Sequence, residues 1–172
     1  KLIMLNTESF STYNDLENKT TRDLLHIINE EDKKVPNIIS KSLDSINIFI
    51  DEVYNRMKDG GRLFYIGSGT PGRLGVVDAS ECPPTYGVSN NVIIGIIAGG
   101  DKAIRNSIEG AEDDITHGWE DLKNYNISAN DCVLGITSSG RTPYVVGALK
   151  ECSNNKIFTG LITSNQDTEA EK

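Results

Sequence analysis

Cysteine is scarce in this chain: the three residues, Cys82, Cys132 and Cys152, are odd in number and nowhere in C-x-x-C spacing. That excludes a disulfide framework and a cysteine-pair zinc site, and leaves reduced, buried, structural thiols as the expectation. Histidine numbers two, and no second histidine stands at ligand spacing from His117, so no metal is expected. Long apolar runs are missing as well. Nothing approaches the roughly 18 to 20 uninterrupted residues that cross a bilayer, and the N-terminus shows no signal-peptide h-region with a small-residue cleavage site. A cytoplasmic protein with no membrane partner is the expectation. Positive charge is in deficit, 17 Lys and Arg against 25 Asp and Glu for a net charge of -8. Such a chain repels phosphate backbones, which argues against nucleic acid as a partner, yet a small phosphate can still be held where local N–H groups and hydroxyls converge.

What is present suffices for one core: 172 residues, 37% of them hydrophobic. Residues 1 to 13 have no clean period and read as an extended arm. Helical spacing begins at Asn14, with Leu16, Leu24, Ile27 and Ile28 on one face and Asn14 with Glu17 in capping-box spacing. That helix is expected to end near Glu30 to Lys34. Pro36 suits the first turn of a second helix, along which Ile39, Leu43, Ile46, Ile50, Val53 and Met57 step by three and four until Gly60-Gly61 stops it. Residues 1–60 thus form an arm and helices that pack on the core or on a second subunit. After Gly61 strand and helix signals alternate, which predicts a parallel sheet with crossover helices over 61–172. The expected strands are Leu63 to Ile66, Val92 to Ile97, Cys132 to Ile136 and Ile157 to Ile162. The expected helices are Pro71 to Ser80, Lys102 to Ser107, Ala111 to Leu122 and Thr142 to Cys152. The last ten residues, TSNQDTEAEK, read as a polar tail or the point where a longer chain was cut.

In open parallel sheets ligands collect at the carboxyl ends of the strands. The loop after the first strand, Gly67-Ser68-Gly69-Thr70-Pro71-Gly72, matches G-x-G-x-x-G. The acid that a dinucleotide site places about 20 residues further on is missing, the nearest at the next strand's end being Asp101. As a P-loop it fails too, because Arg73-Leu74 stands where Lys-Ser/Thr is required. The third strand runs into a second loop of the same kind, Thr137-Ser138-Ser139-Gly140-Arg141-Thr142-Pro143. Two such loops present hydroxyls and the N-terminal N–H groups of two helices to one monophosphate, unless they are two ordinary helix caps. Two acidic segments follow the loops in importance. Glu81 precedes Cys82-Pro83-Pro84, whose prolines stiffen the backbone and fix its direction, making it a candidate acid or base. In Glu109-Gly110-Ala111-Glu112-Asp113-Asp114 the residues Glu109, Asp113 and Asp114 read as a solvated face, and acids at a helix start complement its dipole.

With these segments in view, GRLFYIGSGTPGRLGVVDASECPPTYGV, IIAGG, EGAEDD and SSGRTPYVVGAL, in that order and spacing, resemble the N-acetylmuramic acid 6-phosphate etherases, members of the sugar isomerase (SIS) phosphosugar-binding superfamily. The resemblance implies an α/β fold: a parallel-sheet SIS-type domain, flavodoxin-like and three-layered αβα, preceded by N-terminal helices. It implies that the D-lactyl ether at C3 of a muramic acid 6-phosphate is cleaved by elimination and hydration, with the open-chain C1 aldehyde as electron sink and no cofactor. Glu81 maps to the proton donor for the leaving lactate and Glu112 to the C2 base. Ser68, Gly69, Thr70, Ser138, Ser139, Gly140, Arg141 and Thr142 map to the phosphate and sugar site, the partner being a small sugar phosphate. A homodimer is also implied, with which the apolar N-terminal helices are compatible. Pro71 stands where the family commonly has serine, and family members continue well beyond the strand ending near Ile162. A sugar-phosphate-binding regulator without turnover, or a phosphosugar isomerase, are the alternative readings.

Overall fold

Four short apolar segments, Leu63–Gly67 (β1), Ile93–Ile97 (β2), Cys132–Ile136 (β3) and Phe158–Ile162 (β4), pair in parallel in the order β2-β1-β3-β4. The computed structural model describes residues 5–171; the start of the expected arm, 1–4, lies outside them. β1 and β3 are central and deeply buried, which is why they read as continuous apolar runs. The edge strand β4 is only half-buried.

The crossovers are Gly69–Tyr86 (α4) between β1 and β2, Asp101–Arg105 (α5) and His117–Lys123 (α6) between β2 and β3, and Pro143–Asn154 (α7) between β3 and β4. Strand register assigns the layers. Phe64, Ile66 and Val133 bury against Leu122 of α6 and Val145, Ala148 and Leu149 of α7. On the opposite face lie Tyr65, Gly95 and Gly160, which are register partners or neighbours across the sheet. There α4 packs on Tyr65 and Gly95, while Phe49 reaches Gly160 and stacks on Phe158 at 5.6 Å. The fold is the expected three-layer αβα arrangement.

The helices before the sheet are Thr21–Asp32 (α1), Lys34–Ile39 (α2) and Leu43–Lys58 (α3). The capping box is at Thr20 and Asp23 rather than at Asn14 and Glu17, and Leu16 sits in a separate 3-10 turn, Leu16–Asn18. Asp15 in the left-handed region interrupts any helix there. The helix expected from Pro36 to Gly60 is broken by a 3-10 turn at Ser40–Ser42, where the Ser40 hydroxyl donates back to Pro36 O and bends the backbone. The stripe Ile39, Leu43, Ile46 and Ile50 is exposed, and only Phe49, Val53, Met57 and their neighbours approach the sheet.

At the amino ends of β1 and β3 a buried ion pair ties the strands together. Asp131, 2% exposed, takes Arg62 Nε at 3.0 Å and Nη2 at 2.9 Å, and also the backbone N–H groups of Arg62 and Ser128. Arg62 also lies 4.9 Å over the Phe64 ring. Burial works against ionisation of Asp131, but the Arg62 hydrogen bonds, the Ser128 N–H and the Arg62 charge together hold its carboxyl below the usual value. A carboxyl depressed on folding contributes stability that is complete above the ordinary aspartate range and is lost as pH falls through the lowered value. Asp131→Asn is therefore expected to cost about 3 kcal/mol at neutral pH by leaving Arg62 half-buried and unpaired. It should also flatten the loss of stability between about pH 5 and pH 2, as read by urea unfolding across that range.

Candidate active site

The strand order reverses between β1 and β3: the crossover from β1 leads to β2 on one side and that from β3 leads to β4 on the other. The two glycine- and hydroxyl-bearing loops leave these neighbouring strands at this switch point, Gly67 standing opposite Ile136 in the register.

The first loop is held by close backbone approach. A Cβ on Gly72 would lie 2.7 Å from Ile97 Cγ1 and 2.8 Å from Gly67 O, and one on Gly75 would lie 2.7 Å from Tyr65 Cβ, so α4 sits against the sheet at a separation only glycine permits. The helix starts at Gly69, two residues before the expected Pro71. Ser68 caps it in extended conformation, but its hydroxyl does not serve the cap; it donates to Glu112 Oε2 at 2.8 Å. The first-turn N–H groups of Gly69 and Thr70 have no partner among the described residues, which leaves them for an anion. Pro71 lies in the same turn, where a helix has no internal acceptor for an N–H, so the ring does not disturb the helix but removes one donor from the site.

The second loop offers less backbone than its sequence promises. Pro143 has no N–H, the Tyr144 N–H donates to Glu112 O at 3.1 Å, and those of Val145 and Val146 return to Thr142 O. The N–H groups of α7 are thus engaged within the chain, contrary to the expectation that both helices offer theirs to a phosphate. Thr142 Oγ1 lies 2.8 Å from Thr137 Oγ1, and Ser139 Oγ accepts from the Arg141 N–H at 3.1 Å. Ser138 and Arg141 are exposed, so what this loop offers is side chains rather than helix-start amides, and its residues are not among those lining the cleft beside Glu112.

Glu112 is fixed by the first loop and by the first turn of α7 at once, through the Ser68 hydroxyl on its carboxylate and the Tyr144 amide on its carbonyl. It stands in a turn, not in the helix expected from Ala111. Asp114 Oδ1 takes the Thr116 hydroxyl and N–H at 2.7 Å and the His117 N–H at 3.3 Å, which delays α6 to His117. The turn can lie this close to α7 because Gly147 leaves room for the Ile115 carbonyl, and Tyr144 is steadied by donating to Asp121 Oδ2 at 2.5 Å. A cleft of about 280 Å³ opens here, lined among others by Ser68, Gly69, Arg73, Ser107, Glu109 and Glu112. Asp113 lines it as well, so two of the three acids read as a solvated face border the cleft, while Asp114 closes the turn that leads into α6. Arg73 is held in place by its Nε donating to Ile104 O at 2.9 Å, and it keeps its positive charge, since a backbone carbonyl is not a counter-ion.

Glu81 is not brought to this cleft by its own chain. Helix α4 does not stop at Ser80 but continues through Pro83 and Pro84 to Tyr86, where Gly87, at φ 69°, returns its N–H to Pro83 O. Each proline removes its own helical N–H and crowds the carbonyl four residues back, but both fall in the last turn and a half, where little helix remains to be disturbed. Glu81 therefore lies roughly 18 Å along the helix from Gly69, at about 1.5 Å per residue. It is exposed, on the same face as Leu74, 60% exposed, and Val77, 56% exposed.

The polar segment 163–171 is not the trailing tail that its composition suggests. It folds over the second loop instead of trailing away, with Ser164 N donating to Ser138 O at 3.2 Å and Ala170 N to Gly140 O at 3.1 Å. Its run of Thr, Ser, Asn and Asp is a turn signal, but nothing in the spacing says what it turns against.

A family model described as "Glucokinase regulatory protein N-terminal SIS domain" matches residues 45–153. Curated N-acetylmuramic acid 6-phosphate etherases are similar over nearly the whole chain. That of Christiangramia forsetii is 54% identical over 157 residues, covering 91% of this chain and 57% of the relative. That of Bacteroides fragilis is 51% identical over 162 residues, covering 94% and 58%. That of Caldanaerobacter subterraneus subsp. tengcongensis is 52% identical over 157 residues, covering 91% and 51%. The chain thus spans between half and three fifths of the length of these relatives. Among solved structures, a phosphoheptose isomerase from Francisella tularensis superposes with a TM-score of 0.65 at 15% identity, covering 84% of this chain and 76% of that one. One from Neisseria gonorrhoeae gives 0.56 at 15% identity, with 84% and 74% covered. At that identity the likeness is one of fold. Among the described residues no helix is long and apolar enough to cross a membrane, and no cluster of His, Cys, Asp or Glu could hold a metal ion.

Pro71 gives the site a direct test. Replacing it by serine restores an N–H at the first turn of α4 without moving the helix, and one charge-assisted hydrogen bond corresponds to about a tenfold gain in affinity. Calorimetry with a sugar 6-phosphate is expected to show that gain for Pro71→Ser.

Proposed function

This chain belongs to the SIS-domain family, and we propose that within it the chain is an N-acetylmuramic acid 6-phosphate etherase or the phosphosugar-binding part of one. The observation that carries the reading is the hydrogen bond from Ser68 to Glu112, which joins an anion-binding helix start to a carboxylate in one cleft. Half-identity to curated etherases over nine tenths of the chain supports the same reading.

In this reading Ser68, Gly69 and Thr70, with Ser138, Ser139, Gly140, Arg141 and Thr142, hold the 6-phosphate and the sugar near it. The phosphate is drawn by local amides, hydroxyls and the positive end of α4, since the net charge of the chain opposes it. The sugar's C2 then lies toward Glu112. With the ring open, the C1 carbonyl acidifies the C2 proton, Glu112 removes it, and the electron pair expels the lactate oxygen from C3. A second carboxyl, Glu81, protonates the leaving lactate, and water adds across the double bond to give N-acetylglucosamine 6-phosphate and D-lactate. Two carboxyls in different surroundings suffice for such proton traffic.

The separation of Glu81 from the cleft makes a homodimer part of this proposal. Leu74, Val77 and Glu81 form an uncovered face of α4, and Ile39, Leu43, Ile46 and Ile50 another uncovered surface in the N-terminal helices. A second copy packed on such surfaces brings its own Glu81 to the cleft, with residues 1–60 serving the interface and 61–172 the phosphosugar-binding unit. A cytoplasmic setting and a place in the recycling of a wall-derived amino sugar belong to the same reading. The three buried free cysteines are consistent with reducing surroundings.

One observation favours binding without turnover, the donor missing at Pro71. Both readings are separated by incubating the full-length protein with N-acetylmuramic acid 6-phosphate in deuterated water. The etherase reading expects D-lactate and a product deuterated at C2, and saturable binding with no D-lactate contradicts it. Glu112→Gln is expected to lower C2 exchange about 10³-fold; exchange at the unaltered rate removes Glu112 as the base.

A further inference from the structure

Asn165 lies in the segment that follows β4, outside both loops, and is 4% exposed. Every polar group of its side chain is engaged. Nδ2 donates to Ser138 O at 2.8 Å and to Thr7 Oγ1 at 3.1 Å, and Oδ1 accepts the Thr7 N–H at 3.3 Å. Ser138 O receives two further donors from the same segment, Ser164 N at 3.2 Å and Thr163 Oγ1 at 3.3 Å. Three donors on one carbonyl fix the plane of the Ser138–Ser139 peptide. Because that peptide is trans, its N–H points away from the segment that holds the carbonyl. A second clamp follows two residues on. Gly140 adopts φ +68°, accepts Ala170 N at 3.1 Å, and faces buried Thr168 so closely that a Cβ would lie 2.5 Å from it.

We propose that Asn165 is a positioning residue for the phosphate loop, orienting the Ser138–Ser139 peptide and tying it to the N-terminal arm through Thr7. The proposal rests on the reading of Ser138 to Thr142 as a phosphate-binding loop. The amide is chemically required: aspartate has the same shape but no donor, and sets a carboxylate oxygen against the Ser138 carbonyl. Glycine at 140 is required for the same reason of loop shape, so the loop's conformation is imposed from behind by a segment that never touches the ligand. The arm, in turn, becomes linked to ligand binding. Whatever ordering of the loop a phosphate stabilises also stabilises the docking of Thr7, and the converse holds by reciprocity.

The test is calorimetry of the full-length protein with N-acetylglucosamine 6-phosphate, alongside D-lactate kinetics. Asn165→Ala is expected to weaken binding about tenfold, the equivalent of one lost buried hydrogen bond and a misoriented peptide, while kcat at saturation stays within about twofold. Asn165→Asp should weaken it at least as much. Thr7→Val leaves the Ser138 contact and the Thr7 N–H bond to Oδ1 intact and removes only the side-chain half of the link to the arm, the acceptor for Nδ2; it is expected to weaken binding about threefold, and it decides the matter if the Asn165 variants do not fold. Unchanged affinity in a folded Asn165→Ala or in Thr7→Val overturns the proposal, as does a loss of kcat with affinity retained. If the unaltered protein binds no sugar phosphate, the reading of the loop fails first and the proposal with it. Binding without D-lactate release contradicts the etherase reading alone and leaves the affinity comparison valid.

Discussion

The site depends on how closely α4 approaches the sheet. Gly67 and Gly72 leave backbone against backbone, Gly75 lies on Tyr65, and Gly95 admits the backbone of Val76. A methyl group at any of these positions meets an atom within 3 Å, and the helix would have to shift. Its first turn would then no longer lie beside the loop that follows β3. The glycines of this segment therefore serve less as a nucleotide-type fingerprint than as the means of placing two free amides and one serine hydroxyl at the switch point of the sheet.

A single carboxylate inherits that placement. Glu112 is reached by the Ser68 hydroxyl from one crossover and by the Tyr144 amide from another, so its position reports the relative geometry of α4 and α7. The same arrangement gathers opposite charges in one cleft: the helix-start amides and Arg73 share it with Glu109, Glu112 and Asp113, and Glu112 Oε2 lies 2.8 Å from Ser68 Oγ at the helix start itself.

Much of this was legible in the sequence where local chemistry decides structure. The run Cys132 to Ile136 is the strand it appears to be, and both hydroxyl loops follow strands as expected, because buried parallel strands are apolar without interruption. Legibility ended where tertiary contacts decide. The prolines after Glu81 suggest a helix end, yet α4 carries through them because its packing on the sheet is set further upstream. The acids of EGAEDD look like a helix start, but Asp114 takes the first amides itself and leaves Glu112 in a turn. Thr20, not Asn14, caps α1, since the competing site contains Asp15 in a left-handed conformation. The apolar stripe through Ile46 and Ile50 has the period of a core helix, and period alone does not say whether the covering surface belongs to the same chain. The segment around Asn165 has no period at all; its importance lies in long-range hydrogen bonds.

In the proposed dimer the site is the joint product of two chains, with the phosphate cradle and Glu112 from one and Glu81 from the other. Mixing inactive Glu81→Gln and Glu112→Gln proteins, so that their subunits exchange, tests this most directly. In a twofold dimer half of the random pairs are mixed and each holds one complete site, so D-lactate release should recover to about a quarter of the unaltered rate. Mixed dimers that form and stay inactive would contradict it.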